Sequence, residues 1–66
     1  MVKLHFIINI YADETRLESI DAFSVKELNN KLNDIKNQYD NNGNFDTVTV
    51  NVYRNSARIY YESIHY

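Results

Sequence analysis

The chain has 66 residues, no cysteine, and nine acidic against seven basic side chains, so its net charge is −2. This length predicts one small domain over residues 1–66, and such a domain buries only roughly 60% of its unfolded surface, which disfavours a deep catalytic cavity. The lack of cysteine excludes disulfides and thiolate metal sites, and the negative charge disfavours nucleic acid and anionic membranes as partners.

The first third of the chain predicts a β-hairpin. Residues 2–11 alternate in polarity and are rich in Ile, a composition typical of strands. The polar residues 12–15 predict a short loop, and residues 16–22 predict an antiparallel return strand. Carboxylates concentrate in this hairpin, and we favour a solvated edge over a cation site or a phosphate mimic as their interpretation. They are Asp13, Glu14, Glu18 and Asp21.

The register of this hairpin depends on the length of its loop. A two-residue loop at Asp13-Glu14 would direct Leu17 to the core, whereas a three-residue loop would direct Ile20 and Ala22 there. We favour the three-residue loop because it brings two apolar side chains to the core instead of one, and because a one-residue slip reverses the faces of a strand.

A helix is predicted from Ser24 onward. The Ser24 side chain can cap the helix, and Glu27, three residues later, completes a capping box. The only glycine of the chain, Gly43, can adopt the left-handed conformation with which many helices end. Between these signals, apolar side chains recur at steps of three and four and form one stripe. They are Val25, Leu28, Leu32, Ile35 and Tyr39.

The last third of the chain predicts a second hairpin with its turn at Asn55-Ser56. Because alternate side chains of a strand point to opposite faces, this turn sorts the hairpin into two sets. The core face should carry Val48, Val50, Val52, Ile59 and Tyr61. The opposite face should carry Thr49, Asn51, Tyr53, Arg58, Tyr60 and Glu62.

These elements predict an α+β fold with the element order ββαββ, in which one helix packs on one face of a four-stranded sheet. The economical strand order is 2-1-4-3, with the first and last strands parallel in the centre. This layout resembles the β-grasp arrangement of small immunoglobulin-binding domains in element order and length, and where Asn42-Gly43-Asn44-Phe45 leads into an alternating strand. The resemblance implies a fold and no function. The predicted core contains Phe6, Ile8, Leu28, Leu32, Ile35, Val50, Val52 and Ile59.

In that strand order, the segment from Thr47 to Tyr53 forms an edge of the sheet. Its residues have high β propensity and no charge, whereas natural edge strands usually carry Lys, Pro or a bulge that prevents further pairing. An unprotected edge favours strand addition, either to a partner protein or to a second copy of the chain. The alternative is that the C-terminal tail or the sheet twist covers this edge.

The sequence shows no pattern of catalytic or cofactor-binding residues. The only histidines, His5 and His65, lack the spacing and the further ligands of a metal site, so we expect no metal and no cofactor. No Gly-x-Ser-x-Gly elbow surrounds a serine, and the single glycine excludes a glycine-rich phosphate loop. Without a secretory signal or an apolar stretch of membrane-spanning length, the chain is expected to be cytoplasmic and not an enzyme.

The tyrosine-rich face of the second hairpin is the candidate binding surface, because Tyr and Arg are enriched at the centres of protein interfaces. We therefore predict a protein-interaction module. The abundance of Asn, Ile and Tyr suggests an AT-rich phage or plasmid gene and an inhibitor of a host protein such as a defence nuclease. The alternatives are a nucleic-acid-binding module that stacks bases on tyrosines and a homodimer that pairs through residues 47–53. The candidate partner-binding residues are Thr49, Asn51, Tyr53, Arg58, Tyr60 and Tyr66.

Overall fold

The computed structural model describes residues 3–66, which form four strands and one helix in the predicted order ββαββ. The start of the first predicted strand, at Val2, lies outside the described residues. The elements are β1 (Leu4–Ala12), β2 (Thr15–Ala22), α1 (Val25–Asn42), β3 (Thr47–Arg54) and β4 (Ala57–His65).

The four strands form one antiparallel sheet with the order β2-β1-β3-β4, and α1 packs on one face of it. The α+β class is therefore confirmed, whereas the predicted strand order 2-1-4-3 is wrong. β1 pairs with β3 from Leu4 to Tyr11, with Ile8 opposite Val50 near the middle of the ladder. The two strands with the most apolar core faces thus lie side by side, and the central pair is antiparallel instead of parallel as in the β-grasp layout.

β3 lies inside the sheet, between β1 and β4, and its main chain pairs with both neighbours. The prediction that residues 47–53 form an open edge is wrong for this reason. Strand addition at β3 would require β1 or β4 to leave the sheet. The edges are β2 and β4, and because α1 comes closest to β2, β4 is the edge that lies farther from the helix.

The signals that the sequence contains for α1 are confirmed at both ends. The Ser24 side chain accepts a hydrogen bond of 3.1 Å from the backbone N–H of Glu27. Gly43 follows the helix with a φ of 61°, in the left-handed region, and its N–H donates to the Tyr39 carbonyl oxygen over 2.8 Å. The two caps fix the length of the helix and so determine which turns of the apolar stripe reach the sheet.

The core lies between α1 and the central strands. Its buried cluster consists of Ile8, Ile10, Ile35, Phe45 and Val48. Of the predicted core, Phe6, Ile8, Ile35 and Val50 are buried, and Leu28, Leu32 and Val52 are half-buried. Ile59 is 54% exposed, so its assignment to the core is wrong. The cause is a β-bulge, which also occurs in the first hairpin.

The first hairpin combines features of the two registers that the sequence left open. Its loop is the two-residue turn Asp13-Glu14, in which the φ angles are 50° and 68°, so the three-residue loop is wrong. A bulge then leaves Leu17 without a partner in β1. Because one inserted residue reverses the faces of the rest of the strand, Ile20 and Ala22 still lie on the core side of the sheet.

Candidate functional site on the outer sheet face

The second hairpin repeats the construction of the first. Asn55 and Ser56 form the predicted two-residue turn, with φ angles of 50° and 70°. A bulge follows at Ile59, which has no partner in β3, just as Leu17 has none in β1. Both bulge residues are 54% exposed. In each hairpin, therefore, the turn and the bulge together decide which side chains of the return strand share a face.

The bulge at Ile59 exchanges the positions of two neighbouring tyrosines. Tyr60 pairs with Val52 and lies on the helix side of the sheet, whereas Tyr61 pairs with Asn51 on the opposite side, which we call the outer face. The sequence-based assignment of Tyr60 to the outer face and of Tyr61 to the core face is wrong, because simple alternation from the turn does not include the inserted residue.

Each hairpin places a tyrosine opposite an arginine on the outer face. Tyr11 pairs with Arg16 next to the first turn, and Tyr53 pairs with Arg58 next to the second. In the sequence both sets follow one pattern, with an Asn two residues before the Tyr and an Arg five residues after it. Because β1 and β3 are antiparallel, the two Tyr–Arg pairs lie at diagonally opposite corners of the outer face.

Between these corners the outer face forms an open pocket of about 400 Å³. This volume is within the range of about 300–1,000 Å³ that is typical of ligand sites. We call it the outer-face pocket. Its lining comes from all four strands and consists of Ile7, Asn9, Tyr11, Arg16, Ser19, Thr49, Asn51, Tyr53, Arg58 and Tyr61.

Arg58 is held at the pocket by two side chains of its own hairpin. Its guanidinium carbon lies 5.5 Å from the centroid of the Tyr61 ring, which is a cation–π contact. Its Nη1 donates to Asn51 Oδ1 over 3.4 Å, a long hydrogen bond. Both partners are uncharged, so the positive charge of Arg58 is not neutralised by either contact.

The floor of the pocket is polar and buried, although α1 covers only the other side of the sheet. Thr49 is 6% exposed and Asn51 is 7% exposed. Two side-chain oxygens at this level, Thr49 Oγ1 and Asn9 Oδ1, are buried without a hydrogen-bond partner among the described residues. An unsatisfied buried polar group destabilises a folded protein by about 1–3 kcal/mol, so these groups require a functional or structural reason.

The structure brings four of the six predicted partner-binding residues together at the pocket. They are Thr49, Asn51, Tyr53 and Arg58. Tyr60 lies on the helix side, where its hydroxyl donates to Glu62 over 3.4 Å. Tyr66 also lies away from the pocket, because its ring packs 4.7 Å from the centroid of Tyr39 and 5.8 Å from that of Phe45, at one end of the core.

Sequence reasoning missed the contribution of the first hairpin to this surface. Asn9, Tyr11 and Arg16 line the pocket from β1 and β2, and Tyr61 takes the place that was predicted for Tyr60. The repeated spacing of Asn, Tyr and Arg in the two hairpins was the signal in the sequence that could have found them.

An aromatic cluster borders the pocket at the end where β1 begins. The imidazole of His5 stacks on the Phe23 ring with a centroid distance of 4.9 Å and an interplanar angle of 6°. Its Nε2 lies 2.9 Å from Asp21 Oδ1, and its ring centroid lies 6.3 Å from that of Tyr53. These contacts hold His5 beside the pocket, and the Asp21 carboxylate is paired with His5.

Asp46 organises the opposite, acidic end of the outer face. Its Oδ2 accepts a hydrogen bond of 2.9 Å from the backbone N–H of Asp13, and its Oδ1 accepts one of 2.7 Å from the Thr47 hydroxyl. These two bonds, and then the nearby charge of His65, lower the pKa of Asp46 below its ordinary value, although partial desolvation acts in the other direction. Asp46 is therefore ionised at neutral pH.

Within residues 3–66, no three histidine or carboxylate side chains are grouped as the ligands of a metal ion would be. No helix in this part of the chain combines the length and the apolar character needed to cross a bilayer. Comparison with models of protein families, with curated proteins and with solved structures finds no match for this chain. The functional conclusion therefore rests on the chemistry of the outer face.

Proposed function

We propose that the chain is a small, non-enzymatic protein-interaction module that binds its partner with the outer face of its sheet. One observation carries this proposal. Through the same turn and bulge, both hairpins direct a Tyr–Arg pair to the sheet face that α1 does not cover. Tyr and Arg dominate the binding energy of many protein interfaces because each buries a large area and also offers hydrogen-bond donors.

The position of these groups on strands supports the proposal. The pocket residues belong to paired strands, and most of them come from the central pair β1 and β3. Side chains on such a scaffold lose less conformational freedom on binding than side chains on loops, so more of the contact energy appears as affinity. A preformed surface of this kind suits a module that acts by covering a surface of its partner protein.

The biological form that we propose for this function is an inhibitor that blocks a host protein, such as a defence nuclease, in the cytoplasm. Its support is the small size, the acidity and the Asn-, Ile- and Tyr-rich composition of the chain, which are typical of proteins encoded by phages and plasmids from AT-rich genomes. The outer face suits such a role because blocking a partner requires binding alone.

Tyr60 and Tyr61 provide a matched test of the binding face. The two tyrosines are adjacent and equally exposed, at 53% each, but they lie on opposite faces of β4. Tyr61→Ala should weaken partner binding by about 2 kcal/mol, or roughly 30-fold, as is typical of a hot-spot tyrosine. Tyr60→Ala should leave the affinity nearly unchanged.

The measurement first requires the partner. The wild-type chain is used to capture proteins from a host lysate, the partner is identified by mass spectrometry, and its affinity for both purified variants is measured by calorimetry. Circular dichroism establishes that each variant is folded. Equal losses in the two variants, or a loss in Tyr60→Ala alone, would show that the outer face is not the binding surface.

Self-association through β4 is a second candidate, because β4, and not β3, is an edge strand of the sheet. Every residue of β4 except Ile64 is exposed, and strand addition to an unpaired edge is a common mode of association. The bulge at Ile59 protects only the first part of the edge. Light scattering over a range of concentrations tests this candidate, and a monomer at all of them excludes the homodimer.

A further inference from the structure

We infer that the outer-face pocket receives an acidic segment of the partner protein, with one carboxylate directed to Arg16 and a second to Arg58. This inference rests on the proposed function, because it assigns a chemical class to the partner at the same surface. Three features of the pocket lead to it: its charge, the separation of its two arginines, and its unsatisfied polar floor.

The pocket is a positive region on a negatively charged protein. Its lining includes two arginines and no acidic residue. In residues 3–66 the side-chain ion pairs are His5–Asp21 and Lys36–Asp40, so neither arginine of the pocket is paired with a carboxylate. The planar guanidinium group matches a carboxylate through two parallel hydrogen bonds. A carboxylate of the partner would therefore supply the counter-charge that this chain does not place there.

The two arginines are too far apart to share one carboxylate. Arg16 lies on β2 and Arg58 on β4, at opposite edges of the sheet with β1 and β3 between them. Three strand spacings separate their main chains by about 14 Å, and their diagonal placement increases that distance. A segment that crosses the strands and carries two acidic side chains reaches both corners, whereas a single carboxylate reaches one.

The floor of the pocket offers partners for the main chain of such a segment. Thr49 Oγ1 is buried without a partner among the described residues, and its hydroxyl can donate to a carbonyl oxygen that a rearranged floor admits. Asn9 Oδ1 is also unpaired and can accept from an N–H. Both oxygens are closed to solvent, so a segment reaches them only if the side chains around them shift on binding, and the hydrogen bonds then formed would relieve the destabilisation that these groups cause.

A nucleic acid strand fits this surface less well. The cavity that continues along the same face is lined by three carboxylates, those of Asp13, Glu14 and Asp46. A phosphodiester chain carries a charge at every nucleotide and would meet these carboxylates, in addition to the net charge of −2. An acidic peptide segment needs charge only at the two arginines.

An NMR titration of the isotope-labelled full chain at low salt, with a capped peptide in which a neutral Gly-Ser spacer separates two glutamates (the two-glutamate peptide), tests the inference. We expect saturable shifts of the amide signals of Thr49, Asn51 and Tyr61. Arg16→Gln and Arg58→Gln should each weaken binding about tenfold, the typical effect of losing a charge-assisted hydrogen bond. Arg54→Gln removes the same charge outside the pocket lining and should leave the affinity unchanged.

Two further probes separate the alternatives. A peptide of the same length with one glutamate should bind more weakly than the two-glutamate peptide, because it engages one arginine. An oligothymidylate of the same length should not compete. Equal affinity for the two peptides would overturn the assignment of two carboxylates, and tighter binding of the oligothymidylate than of the two-glutamate peptide would overturn the assignment of an acidic peptide.

Thr49→Val distinguishes a binding role of the floor from a purely structural one. Removing an unpaired buried hydroxyl should raise the melting temperature, yet it should weaken binding of the two-glutamate peptide. A variant that is more stable and binds equally well would contradict the role of Thr49. If the two-glutamate peptide does not bind but Tyr61→Ala still loses the natural partner, the inference fails while the proposed function stands. If Tyr61→Ala keeps that partner, the proposed function itself fails.

Discussion

Asp46 connects three segments of the chain at one end of the sheet. Its carboxylate holds the first turn through the N–H of Asp13. Its own N–H donates to the carbonyl oxygen of Tyr11 over 3.0 Å, and its carbonyl oxygen accepts from the N–H of Tyr66 over 2.8 Å. Since the ionised carboxylate is the better acceptor, the same contacts that lower its pKa also make the stability of this end depend on pH.

We predict that Asp46→Asn lowers the melting temperature at neutral pH and that this difference disappears in acid. A group whose pKa is lowered by folding stabilises the protein above its unfolded pKa, here near the ordinary value of 3.8. That stability is lost as the pH falls through the lower folded value. Thermal melts from pH 7 down to strongly acidic pH should therefore converge for the two proteins. Asp34→Asn, at an exposed helix position, controls for the change in net charge. A difference in melting temperature between the wild type and Asp46→Asn that stays constant at all pH values would contradict the role of the Asp46 carboxylate.

At the scale of elements, each hairpin turn has at its second position a residue, Glu14 or Ser56, that does not favour its backbone conformation. Asp13, Glu14, Asn55 and Ser56 all have positive φ. Two consecutive positive φ angles are typical of the type I′ turn, for which Asn-Gly is the preferred pair. The second turn already has Asn at its first position, so Ser56 is the residue that departs from the preferred pair.

We predict that Ser56→Gly raises the free energy of unfolding by roughly 0.5–1 kcal/mol. The left-handed region costs an ordinary residue roughly 1–2 kcal/mol, and part of this gain is lost because glycine makes the unfolded chain more flexible. Ser56→Ala is the matched control and should give no stabilisation, since alanine keeps the steric cost. Equal stability of the two variants in chemical denaturation would contradict the turn geometry.

The apolar stripe of α1 is buried unevenly along its length. Ile35 is 2% exposed and belongs to the central cluster, whereas Leu32, one turn earlier, is half-buried. Ile35→Ala should therefore lower the free energy of unfolding by about 2–5 kcal/mol, and Leu32→Ala by roughly 1–2 kcal/mol. Urea denaturation of both variants checks this order, and a larger loss at Leu32 would mean that the helix is rotated relative to the sheet.

The elements themselves were predictable because each has a local signal. Ser24 and Gly43 mark the helix ends, and Asn55-Ser56 marks the second turn. The bulges were not predictable in the same way, because an inserted residue needs no special side chain. The inserted residue at each bulge, Leu17 or Ile59, has an exposed apolar side chain. Strict alternation from the two-residue turn would have placed that side chain on the core face of the sheet.

At the scale of the whole molecule, alternation predicts which side chains face the core but not which strands are neighbours. The economical order 2-1-4-3 satisfied the same pattern as the observed order. The uncharged run in β3 was a signal of a central strand, because a strand that is paired on both sides needs no charged residues to prevent further pairing. The prediction of an unprotected edge from this run is wrong for that reason.

The candidate site was predicted in part for the same reasons. Three of its residues lie on the regular strand β3, namely Thr49, Asn51 and Tyr53, and Arg58 precedes the bulge in β4. The faces of all four therefore follow from the turn. Tyr60 lies beyond the bulge and was assigned to the wrong face. The contribution of the first hairpin depends on the pairing of β1 with β3, which no local pattern specifies.

The central claim is that the bulge at Ile59 places Tyr61, and not Tyr60, on the outer face beside Arg58. Nuclear Overhauser contacts of the two tyrosine rings, measured on the free protein, test it directly. We predict contacts from the Tyr60 ring to the Val52 methyl groups and from the Tyr61 ring to the Asn51 side chain. Contacts from the Tyr61 ring to the Val52 methyl groups, with the Tyr60 ring beside Asn51, would contradict the bulge and the site that depends on it.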